Sequence, residues 1–167
     1  MKIGLYTSLP ASSLCHGGGA VDKEAIWRLS ALANARSISL LEFVKSLRKA
    51  KVLQVCVDLL RMEMSFNSRR FSMTTKISQI LLDVPIQDYP DLGAALRALE
   101  RSRLDRICFA EFVIRVARSG FVWFTIFLQR NYISFEECNG HGFSVPVTIK
   151  PPRRAKIGRP KKDAGPR

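Results

Sequence analysis

Apolar residues spaced three or four positions apart predict helices in the first part of the chain. Asp22 can cap a helix that runs to about Ala35. Ser39 is followed three residues later by Glu42, a capping-box pattern that predicts the start of a second helix. Because apolar residues continue after Glu42 at roughly helical spacing, we extend this second helix to about Met64, with a break near Lys49-Ala50-Lys51 as the alternative.

The next segment is more polar and is predicted to contain less regular structure. Residues 65–74 are interpreted as a loop, and Thr75 as the cap of a short helix that ends near Leu82. Two further helices are predicted over about 92–102 and 104–119. No internal repeat is evident along the chain.

The character of the sequence changes in its last third, where strand-like patterns are predicted. Residues 121–128 are rich in aromatic and β-branched side chains, which favours a buried strand. Alternation continues in 132–137 and 143–149, on either side of the turn signal Asn-Gly-His-Gly at 139–142. The pattern predicts a β-hairpin or a three-stranded sheet, with one long helix through Arg130 as the alternative.

These elements predict a mainly α fold of the α+β type: a helical bundle-like domain with a small C-terminal β-hairpin. Residues 1–20, which end in three glycines, are expected to be an irregular N-terminal segment. The folded domain is expected to span residues 21–149. Residues 150–167 contain no apolar pattern and are expected to form a disordered basic tail.

The charge balance points to a polyanionic partner. The chain has 27 Lys and Arg against 14 Asp and Glu, a net charge of +13, and its pI is about 10.2. Eight basic residues and Asp163 give the last 18 residues a charge of +7, over half of the total. DNA is the expected partner and RNA the alternative, because dense phosphates release counterions on binding. A membrane partner is not expected, because the most apolar stretch, 107–128, contains three charges.

The tail contains the most specific motif of the chain, Lys-Ile-Gly-Arg-Pro-Lys-Lys at 156–162. It resembles an AT-hook, a short element that binds the minor groove of A·T-rich DNA. Glycine permits close approach, proline keeps the chain extended, and arginine enters the negative potential of the groove. A generic polyanion-binding tail is the alternative. The tail residues expected to contact DNA are Arg153, Arg154, Lys156, Gly158, Arg159, Pro160, Lys161 and Lys162.

A second segment, 32–47, is similar to a helix-turn-helix unit, with Ser37-Ile38-Ser39 as the turn. The resemblance implies that the second helix approaches the major groove. Two ordinary packed helices with a short connection are the alternative. The residues that would contact phosphates lie on or just after this helix: Lys45, Arg48, Lys49 and Lys51.

Other chemistry is not expected. Four widely spaced cysteines indicate no disulfide framework, which fits the cytoplasm near the nucleoid, or the nucleus in a eukaryote. Cys138 and His141 have ligand spacing, but a zinc site would also need Cys15-His16, so no metal or other cofactor is predicted. No nucleophile–base pattern or glycine-rich phosphate loop suggests an enzyme.

The sequence therefore predicts a DNA-binding regulator or accessory factor, in transcription control or in a DNA-processing assembly such as that of a mobile element. The helical body is expected to supply dimerisation or protein contacts. An RNA-binding protein and a protein-interaction adaptor with a generic basic tail are the alternatives. An aromatic cluster is predicted to be core rather than a stacking platform for single strands: Phe121, Trp123, Phe124, Phe127, Tyr132 and Phe135.

Overall fold

The computed structural model describes residues 21–77, 80 and 84–147. Within 21–77 and 84–147, four helices of ten or twelve residues pack against one face of a six-stranded antiparallel sheet. The first half contains α1 (Lys23–Asn34), α2 (Leu40–Lys49), β1 (Gln54–Asp58), β2 (Glu63–Asn67) and β3 (Ser72–Lys76). The second half contains α3 (Leu92–Arg103), α4 (Phe109–Arg118), β4 (Trp123–Phe127), β5 (Tyr132–Glu136) and β6 (Gly142–Pro146).

The two halves are structural repeats of each other, contrary to the expectation from the sequence. Each of α1, α2, β1 and β2 has a counterpart that begins 69 residues later, and β6 begins 70 residues after β3. Asp22 and Asp91 are the N-cap residues of the equivalent helices α1 and α3. Each side chain accepts a hydrogen bond from the backbone N–H three residues later. The backbone has positive φ at three matching pairs of positions: Arg36 and Asp105, Lys51 and Gly120, and Met62 and Asn131.

The halves are joined through the middle of the sheet, whose strand order is β3-β2-β1-β4-β5-β6. In the central β1–β4 pair, Cys56 lies opposite Thr125, its counterpart in the repeat. Ser39 and Cys108, which are also counterparts, form an isolated antiparallel bridge between the two helical units. An approximate twofold axis therefore passes through both contacts.

The prediction of a mainly helical bundle is wrong, because a large sheet runs through both halves. The error lies mainly in the helix that we extended to Met64. That helix ends at Lys49, and Lys51 then takes a φ of +65°. Its counterpart in the second half is Gly120, a residue that favours this conformation and marks the helix end. The first half has no glycine at this position, so the sequence pattern does not mark the helix end and the predicted helix runs through β1.

The predicted loop at 65–74 is also wrong, because it covers parts of β2 and β3 and the turn between them. Thr75 lies within β3 instead of capping a helix, and its hydroxyl accepts a hydrogen bond of 2.7 Å from Ser30. The strands predicted in the last third are confirmed as β4, β5 and β6, but they are half of the six-stranded sheet and not a small hairpin or separate sheet beside a helical body. The predicted N-terminal segment 1–20 and the tail 150–167 lie outside the described residues.

One hydrophobic core serves both halves. The Phe43 and Phe109 rings, from α2 and α4, have centroids 4.3 Å apart, so the core is continuous across the approximate axis. Phe112 of α4 meets Phe124 of β4 edge to face at 5.5 Å. Among the described residues, none of the helices has the length and apolar character needed to cross a bilayer.

The counterparts Gly120 and Lys51 differ in the space around them, which gives a test of the repeat. A Cβ at Gly120 would lie 2.7 Å from the carbonyl oxygen of Tyr89 and 2.9 Å from Cα of Pro90. We expect Gly120→Ala to lower the free energy of unfolding by about 2 kcal/mol or more, from backbone strain and this contact. The control Lys51→Ala should change it by less than about 0.5 kcal/mol, because that position already carries a Cβ. Urea denaturation measures both, and equal losses would contradict the expectation.

Candidate nucleic-acid interface

The tail residues predicted to contact DNA, from Arg153 to Lys162, lie outside the described residues. The last described residue is Val147, which is buried and donates its backbone N–H to the carbonyl of Asn131 at 2.6 Å. Within the described residues, two surfaces with basic side chains are compared as the candidate interface: the helical layer and the outer face of the sheet.

The segment that is similar to a helix-turn-helix does consist of two helices and a turn, α1 and α2 with residues 35–39 between them. Ser39 caps α2 by accepting a hydrogen bond from the backbone N–H of Glu42 at 3.2 Å. Leu40, at the start of α2, is only 3% exposed, and the N–H of Phe109 donates to the carbonyl of Ile38 at 2.8 Å. The first turn of α2 is thus held against the second half. A recognition helix uses that end to contact bases, so α2 offers a polyanion its exposed side instead.

Three of the four basic residues predicted around α2 are exposed. Lys45 and Lys49 lie one helical turn apart on α2, and Lys51 follows the end of the helix. No ion pair to any of the three is found among the described residues. These ammonium groups are consequently available to phosphates.

The fourth residue, Arg48, has a structural contact. Its Nε donates a hydrogen bond of 3.0 Å to the carbonyl of Leu128, and its guanidinium also donates to the side chain of Asn131. Both acceptors belong to the second half, where the counterpart of Arg48 is the buried Ala117. Arg48 therefore links the two halves, and its guanidinium is less free to meet phosphates than the three lysines.

Positive charge is concentrated in the helical layer. Residues 22–51 and 91–118 carry 13 basic and 7 acidic side chains, a net charge of +6. The described residues as a whole carry 18 basic and 12 acidic side chains, which also gives +6. The strands and their connections consequently add no net positive charge. Among the residues that the structure describes, the helical layer is the part that offers a polyanion an attractive field over an extended area.

The outer face of the sheet, which points away from the helices, has a different character. Asp58, Glu63 and Glu136 lie on it in one row with Lys76, the one strand cation of that face in the described residues. Lys76 pairs with Glu63 at 2.7 Å, and this hydrogen bond lowers the pKa of the Glu63 carboxyl below its ordinary value. Arg61, from the adjoining turn, lies 3.7 Å from Asp58. The face has no strand cation left to meet a phosphate.

Four arginines line a cleft between α3 and α4 that the sequence analysis did not identify. The cleft has a volume of about 290 Å³ and is lined by Ala94, Arg97, Ala98, Arg101, Arg115, Arg118 and Ser119. Asp91 lies 3.6 Å from Arg97, and Glu111 accepts a hydrogen bond of 2.9 Å from Arg115. In the described part of the chain no ion pair to Arg101 or Arg118 is found. In the sequence, two arginines lie one helical turn apart on each of these two predicted helices, which places each pair on one helix face. The sequence does not show that the two helices are neighbours, so the cleft is visible only in the fold.

The aromatic cluster is divided between the two faces of the sheet. Phe121, Phe124 and Phe135 are buried in the core, at 1% exposure or less, which confirms the prediction for these three. The other three face outward: Trp123 is 40% exposed, and the half-buried rings of Phe127 and Tyr132 stack at 4.3 Å. The outer face thus combines an acidic row with an aromatic pair.

The described residues contain no group of three or more His, Cys, Asp or Glu side chains placed to hold a metal ion. Cys138 and His141 are both exposed in the turn before β6, and Cys15-His16 lies outside the described residues. The cysteines Cys56, Cys108 and Cys138 are free thiols.

Neither a protein-family model nor a curated protein matches the sequence. Function is therefore inferred from the residues themselves and from their arrangement.

The contacts of Arg48 predict a role in stability. Arg48→Ala removes two charge-assisted hydrogen bonds between the halves, and we expect the free energy of unfolding to fall by about 1–2 kcal/mol. The control Lys49→Ala removes one charge from the next position of the same helix and should change it by less than about 0.5 kcal/mol. Urea denaturation monitored by Trp fluorescence compares the two variants. If Arg48→Ala is as stable as Lys49→Ala, then Arg48 does not hold the halves together.

Proposed function

We propose that this protein is a DNA-binding regulator or accessory factor, in transcription control or in DNA processing. The observation that carries the proposal is the placement of positive charge: +7 in the last 18 residues and +6 in the helical layer of the body. A charge spread for solubility alone would also cover the sheet face, whose row of carboxylates disfavours polyanions.

In this proposal the tail contributes the shape preference. Gly158 lets the backbone approach the floor of the minor groove, and Pro160 keeps the chain extended along it. Arg159, between them, enters the groove, which is narrow and most negative over A·T-rich sequence. The lysines and arginines on either side meet phosphates.

The helical layer contributes contacts to the backbone of DNA. Lys45, Lys49 and Lys51 are exposed, and their proposed contacts with phosphates would fix orientation without reading sequence. Because body and tail belong to one chain, binding by either raises the effective concentration of the other at the DNA. Two weak contacts then give the chain a higher affinity for DNA than either contact alone, and this affinity falls steeply as the salt concentration rises.

Two alternatives remain as outcomes of the test. An RNA-binding protein would use the same charges on an RNA backbone. An adaptor would bind another protein, and the Trp27 side chain on α1, 58% exposed, is the observation that favours it, since tryptophan is enriched among residues that dominate protein interfaces. The counterpart of Trp27 on α3 is Leu96, which is also exposed.

Fluorescence anisotropy with A·T-rich duplex, G·C-rich duplex and RNA tests the proposal. We expect the full chain to prefer A·T-rich duplex. Arg159→Ala should weaken that binding by about tenfold, because only Arg159 is placed to enter the groove. The control Arg167→Ala removes the same charge from the same tail and should weaken it by about twofold.

Equal losses from the two variants would reduce the tail to a generic polyanion-binding segment. A preference for RNA over A·T-rich duplex would identify an RNA-binding protein. If the protein binds none of the three nucleic acids, the proposal is contradicted and the protein-interaction adaptor becomes the favoured alternative.

A further inference from the structure

The cleft between α3 and α4 has the charge and the shape of an anion-binding site. The start of α3 lies beside the end of α4, because the backbone N–H of Asp91 donates to the carbonyl of Ser119 at 2.8 Å. This arrangement brings Arg97 and Arg101 on one helix towards Arg115 and Arg118 on the other.

The four arginines are only partly neutralised. Asp91 and Glu111 lie beside Arg97 and Arg115, so the cleft has an excess of two positive charges. Asp91 is also occupied as the N-cap of α3, where its side chain accepts from the N–H of Ala94 at 2.8 Å. Guanidinium groups stay charged at all relevant pH values and present a planar pair of donors that matches phosphate oxygens.

The fold does not require these arginines, as a comparison of the two repeats demonstrates. The positions equivalent to the four arginines in the first half are Arg28, Leu32, Ser46 and Lys49, so only two of them are basic. Arg28 is moreover paired with Glu24 at 3.0 Å. The same helix pair therefore forms with a far less basic surface, and the four-arginine cleft is a property of the second half alone.

The size of the cleft favours a small ligand. A volume of about 290 Å³ is at the lower end of the range of small-molecule sites, roughly 300–1,000 Å³. The outer surface of a duplex meets a protein over an extended area, whereas this cleft is a local, partly open depression between two helices. An excess of two positive charges suits two adjacent phosphates.

We propose that the α3–α4 cleft binds a small ligand through a diphosphate group, at a site whose lining residues do not include the lysines of α2. Arg101 and Arg118, which have no carboxylate partner among the described residues, would donate to the diphosphate oxygens. Arg97 and Arg115 would complete the site from the two sides. Such a site would make the protein responsive to a phosphorylated small molecule.

Isothermal titration calorimetry of the full chain with inorganic pyrophosphate tests the proposal at fixed ionic strength and without DNA. In Arg101→Gln/Arg118→Gln we expect the dissociation constant for pyrophosphate to rise at least about tenfold, because two charge-assisted contacts are lost. The matched control, Arg28→Gln/Arg36→Gln, removes the same charge from exposed positions of the first half. Its dissociation constant should change by less than about twofold, because neither arginine lines the cleft and exposed charges are screened by salt.

A thermal shift gives an independent readout that also reports folding. Pyrophosphate should raise the melting temperature of the parent and of the control, because it binds the folded state, and should raise that of Arg101→Gln/Arg118→Gln by a clearly smaller amount at the same concentration. Equal weakening in both double variants would overturn the proposal, since generic charge would then explain binding. Binding of orthophosphate as tight as that of pyrophosphate, or no pyrophosphate binding by the parent, would overturn it as well. None of these outcomes depends on whether DNA binds elsewhere.

Discussion

The antiparallel pairing of β1 with β4 is the contact on which the rest of the structure depends. Each half alone would be a three-stranded sheet with both edges exposed, the inner edge being β1 or β4, and with two helices on one face. Pairing at Cys56 and Thr125 removes both inner edges and lets α2 and α4 share one aromatic core. Arg48 adds hydrogen bonds from the first half to the second, without a counterpart in the other direction. The two halves are thus related by approximate twofold symmetry within a single chain, and their sequences are free to differ.

How much of this could be predicted differs between the halves. In the second half, Gly120 marks the helix end and the Asn-Gly-His-Gly turn marks the last hairpin, so the sheet was predicted. In the first half, Lys51 takes the same left-handed conformation and Arg69 and Arg70 occupy the hairpin turn, with no glycine at either place. The glycine signals were therefore missing, although residues 54–58 and 63–67 do alternate between buried and outward-facing positions. The repeat itself was hidden because what its halves share is burial and backbone conformation more than residue identity.

The candidate sites show the same dependence on tertiary structure. The tail motif is a continuous stretch of sequence and is visible without a structure. The arginine cleft is formed by two helices, so the residue spacing along one helix predicts only two of its four arginines. The sorting of charge between the helical layer and the sheet face also needs the fold, because strand residues alternate between faces. Differences between the two repeats then separate the tasks that we propose: α2 presents lysines to phosphates of DNA, and the cleft between α3 and α4 binds a small anion.

The most direct test of the proposed DNA-binding face compares two double variants that each lower the net charge by two. Lys45→Gln/Lys49→Gln alters the exposed side of α2, and Thr74→Asp/Ser144→Asp alters exposed, equivalent positions on the outer sheet face. Fluorescence anisotropy over a salt series should show that the helical variant binds A·T-rich duplex about tenfold more weakly, with a salt slope smaller by about two. The sheet variant should stay within about twofold of the parent. Equal weakening in both, or greater weakening in the sheet variant, would contradict DNA binding by the helical layer.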